Sequence, residues 1–230
     1  FITPKPVKLL KRVLQIGASK DALVLDFFAG SGTTQHAAYA LNAEDGGNRR
    51  CVLVQLPEPL TDASPRGFKS IADITRDRLR RAGASCKHLE TGKQDVGFRT
   101  FKLDTSNIRA WNPNAADLKT SLFDNLEHIE PERSNDDVLY EVLLKLGLDL
   151  CVPMEAQQIA GKTVHSIGGG ALMTCLDAHI GVADAEGLAL GMAQWREAQG
   201  TATETNAVFR DSAFENDVSK SNLAAILEQH

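Results

Sequence analysis

Apolar positions fall first at helical spacing and then in short runs. Val7, Leu10 and Leu14 recur three and four residues apart. With Thr3 before Pro4 as a capped start and Gly17 as a stop, they predict a helix over about residues 3–16. Next comes Leu23-Val24-Leu25-Asp26-Phe27-Phe28-Ala29-Gly30-Ser31-Gly32-Thr33-Thr34, an apolar run that meets an acidic residue and then a small-residue turn. This predicts a buried parallel strand over 22–27 feeding a helix that begins near Gln35. A polar loop, 42–50, leads to the apolar strand Cys51 to Leu56, so strand, helix and strand form a right-handed crossover. Ile71, Ile74, Leu79 and Ala82 share one face and predict a third helix over 70–82, stopped by Gly83. Alternation in Val96 to Leu103 predicts a strand that closes the first unit.

From Asp104 to Asp137 the chain turns polar, with Asn112-Pro113-Asn114 and Glu130-Pro131-Glu132 as breakers around a short helical stretch near 115–127. Beyond it the pattern predicts a helix over Val138 to Leu146, capped by Asn135 or Asp136. A hairpin follows, 162–167 and 171–176 joined by Gly168-Gly169-Gly170. Leu188, Met192 and Trp195 mark a helix opened by Asp184 and closed by Gly200, ahead of a strand at 206–210 and a last helix at 218–228. The expected architecture is an α/β unit over 1–103, a linker over 104–137 and a small α+β unit over 138–230.

At 43% apolar residues over 230 positions, the chain can bury a real core. No apolar run approaches the roughly 20 residues that span a bilayer, and no charged-then-apolar leader opens the chain, so the expected setting is soluble and cytoplasmic. Cys51, Cys86, Cys151 and Cys175 lack zinc or disulfide-framework spacing and read as free thiols. His165 and His179 have no partner at metal-ligand spacing, and Met192 and Trp195 read as core. A net charge of −5 argues against a global nucleic-acid footprint, and the arginines at 76, 78, 80 and 81 read as a solvated helix face.

The chemistry concentrates at the glycine turn. Glycines let backbone approach a ligand, and a helix N-terminus offers unpaired N–H donors. A dinucleotide loop needs a third glycine where Gln35 stands, and a Walker loop needs a Gly-Lys-Ser/Thr that is absent. Asp26-x-Phe28-x-Gly30-x-Gly32 resembles motif I of the S-adenosylmethionine-dependent methyltransferases, and with Thr33-Thr34 it resembles the amino-methylating DNA methyltransferases. Phe1-Ile2-Thr3-Pro4-Lys5-Pro6 is similar to their motif X. Gln55-Leu56-Pro57-Glu58-Pro59 and Val208-Phe209-Arg210-Asp211-Ser212-Ala213-Phe214 resemble the modification subunits of type III restriction–modification systems.

That resemblance implies a partial Rossmann-like methyltransferase sheet followed by an assembly domain. It implies Asp26 orienting the methionine amino group of S-adenosylmethionine, with Phe28, Ala29, Gly30 and Gly32 walling the cofactor. Ser31 and Thr33 supply hydroxyl contacts or cap the helix. Thr3 and Lys5 touch the cofactor or serve as cap and solvated lysine. Gln55 or Glu58 meets the ribose. The implied activity is DNA adenine-N6 methylation, with double-stranded DNA, a restriction subunit and a second copy of the modification subunit as partners.

The Asp-Pro-Pro-Tyr type of catalytic motif that the resemblance calls for is missing, since no two prolines are adjacent. In the class with motif X just before motif I, that motif and target recognition lie upstream. With the start at Phe1, the expectation is the C-terminal part of a larger enzyme, inactive alone, with no catalytic residue of its own. The rivals are a non-catalytic interaction module and a methyltransferase for another substrate.

Overall fold

The computed structural model describes residues 4–60, 66–87, 95–109, 128–200 and 204–230. They form two compact units, Phe1–Thr100 and Phe101–His230. Both mix helices with sheet.

The first unit runs α1 (Val7–Gly17), β1 (Leu23–Asp26), α2 (Thr33–Asp45), β2 (Arg50–Leu53) and α3 (Ile71–Lys87). β1 and β2 pair in parallel, Leu23 opposite Arg50 and Asp26 opposite Leu53. Val54 N–H donates to the Asp26 carbonyl at 2.8 Å, which carries the pairing one step beyond the strands. The sheet is thus shorter than the apolar runs. One face is covered: Leu14 of α1 and Ala37, Ala38 and Leu41 of α2 pack with Val24 and Cys51, while Tyr39, Leu79, Ala82 and Val96 gather Leu53. At the far end of α2, Asn42 brackets Arg49, accepting from its N–H and donating to its carbonyl. The opposite face carries Leu23, Leu25, Phe27, Val52, Val54 and Leu56, all largely exposed. A parallel sheet normally has both faces covered.

Three expectations change in this unit. α1 starts at Val7, with Pro6 in extended geometry before it, and Gly17 is its last residue; the expected cap Thr3 lies outside the described residues. Gly83 does not stop α3. A Cβ there would lie 3.1 Å from the Val96 carbonyl, so this glycine serves close packing inside a helix that continues to Lys87. The strand expected over 96–103 is absent, because Val96 and Phe98 are drawn individually onto α3 and its neighbours, Phe98 lying beneath the Arg80 guanidinium.

The second unit runs α4 (Asn135–Lys145), β3 (Met154–Ile159), β4 (Lys162–Ile167), β5 (Leu172–Cys175), α5 (Val182–Gln199), β6 (Asn206–Phe209), a short 3₁₀ turn (Asp211–Ala213) and α6 (Asp217–Gln229). Its sheet has the order β3-β4-β5-β6, with β5 and β6 parallel and the rest antiparallel. α5 makes the crossover between the parallel pair. Alternation sends Ile167 and Leu172 to α4 and Val164, Met173 and Cys175 to α5 and α6.

The expected hairpin is present, its three glycines all left-handed. Ser134, not Asn135 or Asp136, caps α4, in a reciprocal box with Asp137. Asp184 sits inside α5 and accepts from the Gly181 N–H at the helix start. β3 is a strand the pattern did not announce, and the helix expected near 115–127 lies outside the described residues.

Candidate cofactor loop

β1 delivers Asp26 to the end of the sheet, and there its carboxylate closes the turn. Oδ1 accepts from the Phe28 N–H at 3.1 Å and Oδ2 from the Thr34 hydroxyl at 2.5 Å, tying strand end to the first turn of α2. Gly30 and Gly32 both lie in the left-handed region, φ 53° and 76°. Gly32 immediately precedes α2, and its N–H donates back to the Ala29 carbonyl at 2.8 Å. The N–H groups of the first helical turn have no intrahelical acceptor.

Gln55 supports the loop from the segment just after β2. Its Oε1 accepts from the Gly30 N–H at 2.8 Å and its Nε2 donates to the Leu56 carbonyl. α3 supports it from the other side: the Thr75 hydroxyl donates to the Gly30 carbonyl at 2.5 Å, and Arg78 Nη1 donates to Ser31 Oγ and Thr33 Oγ1, both at 2.7 Å. Ser31 and Thr33 are therefore buried against Arg78, and no side chain caps α2. Arg78 Nε also reaches His36 Nδ1 at 3.4 Å. Burial and then the Arg78 charge hold the His36 imidazole below its ordinary value. A cavity of about 490 Å³ opens here, walled in part by Pro4, Ser31, His36, Phe68 and Arg78.

The remaining expected site residues are less gathered. Glu58 is exposed; its backbone carbonyl accepts from the Ile71 N–H, and among the described residues no side chain partners its carboxylate. Lys5 is exposed and Thr3 lies outside the described residues. Ala29 is buried, whereas Phe28 is 90% exposed beside the bare sheet face. Cys51 on β2 is no nucleophile, since burial and then Asp26 push its thiol up to about 12. Among the described residues no cluster of His, Cys, Asp or Glu is arranged to hold a metal.

Thr34, Thr75 and Arg78 were missed from the sequence. Thr34 adjoins the loop, but the α3 pair sits more than forty positions away, in a stretch whose charges resemble any solvated helix.

The array offers a carboxylate at a strand end, a backbone turn with no Cβ at two positions, open N–H donors and a free acid beyond the next strand. It is a binding array, without a nucleophile or proton-transfer pair.

A family described as DNA methylase matches residues 1–56, the span that contains β1, the loop and β2. The chain is 38% identical over 130 residues to the type III restriction-modification enzyme StyLTI Mod subunit of Salmonella typhimurium, covering 54% of this chain and 20% of that one. It is 32% identical over 172 residues to the EcoPI Mod subunit of Escherichia phage P1, covering 74% and 26%. Over 82 residues it is 48% identical to the type II methyltransferase M.KpnI of Klebsiella pneumoniae, covering 34% and 20%. The chain thus spans about a quarter or less of the length of these curated relatives. Motif loop, family match and relatives agree, and this chain is a relative of the Mod subunits of type III restriction–modification enzymes.

Proposed function

We propose that this chain supplies the S-adenosylmethionine-binding part of a DNA adenine-N6 methyltransferase of a type III restriction–modification system. The observation that carries the reading is the loop between β1 and α2: Asp26 at the strand end, two left-handed glycines and an unblocked helix start, within the span that matches the DNA methylases. The residues fit the cofactor's chemistry. Asp26 keeps lone pairs beyond the two it uses, which suits an ammonium group. Glycine backbone permits close approach, and Glu58, rather than the already committed Gln55, offers the acceptor for ribose hydroxyls.

When bound, the cofactor supplies an electrophilic methyl group. The chain's own part is to hold and orient, which in methyl transfer is a problem of position. Asp26 fixes one end, Glu58 the other, and the loop sets the distance between them. Phe28, Ala29, Gly30 and Gly32 form the wall, with Thr3 and Lys5 near the methionine end. The Asp-Pro-Pro-Tyr type of catalytic motif, the flipped adenine and most contacts to double-stranded DNA belong to other parts of the enzyme, while the second, α+β unit of this chain serves assembly, with a second modification subunit or with a restriction subunit. The partial Rossmann-like sheet is completed by those other parts too.

Calorimetric titration of S-adenosylmethionine into the chain, with Asp26→Ala beside it, tests the reading. The expected result is saturable binding lost in the variant; equal heats in both sink it. The chain alone is expected to transfer no labelled methyl group to duplex DNA.

The bare apolar face of β1 and β2 favours a second reading, an assembly module whose loop is kept for folding. Under it Asp26→Ala lowers stability, and the parent chain gives no binding heat.

A further inference from the structure

We propose that Thr75 and Arg78 of α3 are positioning residues for the glycine loop, so that a helix outside every motif sets the shape of the cofactor site. The proposal rests on the reading of that loop as a cofactor site.

The Gly30 peptides are gripped from two elements. Gln55, two residues beyond β2, takes the N–H, and Thr75 on α3 gives its hydroxyl proton to the carbonyl. Gly32 is pressed against the same helix: a Cβ there would lie 2.9 Å from Thr75 Cγ2. Arg78 completes the grip. A guanidinium only donates, so Ser31 and Thr33 must both act as acceptors toward it. The N-cap position of α2 is Gly32, which has no side chain to cap the helix, and the hydroxyls on either side of it face Arg78. The first-turn N–H groups stay free for an anionic or acceptor ligand.

The neighbouring arginines do other work. Arg76 pairs with Asp73, Arg81 with Asp77, and Arg80 lies 6.0 Å from the centre of the Phe98 ring. Among the described residues, no carboxylate pairs with Arg78. Its placement is explained by the loop.

The test uses the 230-residue chain with Thr75→Val, Thr75→Ser and Arg78→Gln, read by S-adenosylmethionine titration and by amide hydrogen exchange of Gly30 to Thr33 without ligand. Thr75→Val and Arg78→Gln are expected to weaken binding about tenfold and to speed loop exchange by a similar factor, as loss of one strong hydrogen bond implies. Thr75→Ser, which keeps the hydroxyl, is expected to restore both. Affinity and exchange within about twofold of the parent in Thr75→Val and Arg78→Gln would overturn the proposal, as would failure of serine to rescue. If Arg78→Gln does not fold, the Thr75 pair decides alone. A parent chain that binds no S-adenosylmethionine overturns the cofactor reading, while loop exchange still decides the grip.

Discussion

Gln55 stands where a ribose acceptor was expected, yet its amide is committed to the backbone of Gly30 and Leu56. Three residues on, Glu58 has an exposed carboxylate with no side-chain partner among the described residues. Glu58→Gln is therefore expected to weaken S-adenosylmethionine binding with no change in folding, whereas Gln55→Ala should disturb the loop itself, seen as faster amide exchange at Gly30. Gly32→Ala combines a left-handed backbone with a close approach to Thr75, and about 1–3 kcal/mol of stability should be lost in chemical denaturation. His36 adds a pH dependence. Its folded value lies below the ordinary 6.5, so the unfolded chain takes up the proton first as pH falls. Stability from this group is present above about 6.5 and declines as the medium acidifies, and removing the guanidinium in Arg78→Gln should raise the histidine's midpoint in an NMR titration.

At the scale of elements, what was legible depended on how locally each signal is written. The turn from β1 to α2 announces itself because an apolar strand, an acidic end and two glycines sit in one window. The hairpin of β4 and β5 is equally local, with Gly168 to Gly170 between two apolar runs. β3 escaped notice because Glu155, Gln157 and Gln158 give it a polar stretch, which an edge strand tolerates and a central one does not. Gly83 has the local pattern of a stop because its close contact is with Val96, thirteen positions further on, which no local window contains. Gly191 plays a similar part in α5, where a Cβ would fall 2.3 Å from Ile159 Cγ2. Alanine gains about 1 kcal/mol of helix propensity there but overpacks the contact. The expected net effect of Gly191→Ala is a lower melting temperature for the second unit, measured by calorimetry.

Glu141 on α4 anchors the segment before it, accepting from the Ser106 hydroxyl at 2.5 Å and the Asn107 N–H at 2.6 Å, with Lys145 alongside. Burial raises its carboxyl, but these bonds outweigh it and hold it at about 2. Its contribution is present above the ordinary value near 4.5 and is lost as pH falls toward 2. Glu141→Gln should flatten the acid limb of an unfolding profile.

Across the whole molecule the apolar content was legible, but not which of it would stay in contact with water. Leu23, Leu25, Phe27, Val52, Val54 and Leu56 have the pattern of a doubly covered strand pair, and only one side is covered. A patch of this kind marks an interaction face or an aggregation hazard. Leu25→Glu with Val54→Lys is expected to suppress hydrophobic-dye binding while changing stability by no more than about 0.5 kcal/mol per site, whereas Ala38→Glu, on the wholly buried face of α2, should prevent folding.

The grip on the glycine loop has a genetic consequence. Asp26, Thr34, Gln55, Thr75 and Arg78, with the loop they hold, all come from one contiguous stretch of about fifty codons. A crossover on either side of that stretch carries the loop and its supports together into a new enzyme. A crossover inside it joins a loop from one parent to a helix from another, and the chimera inherits all the recognisable motifs without the geometry that makes them one site.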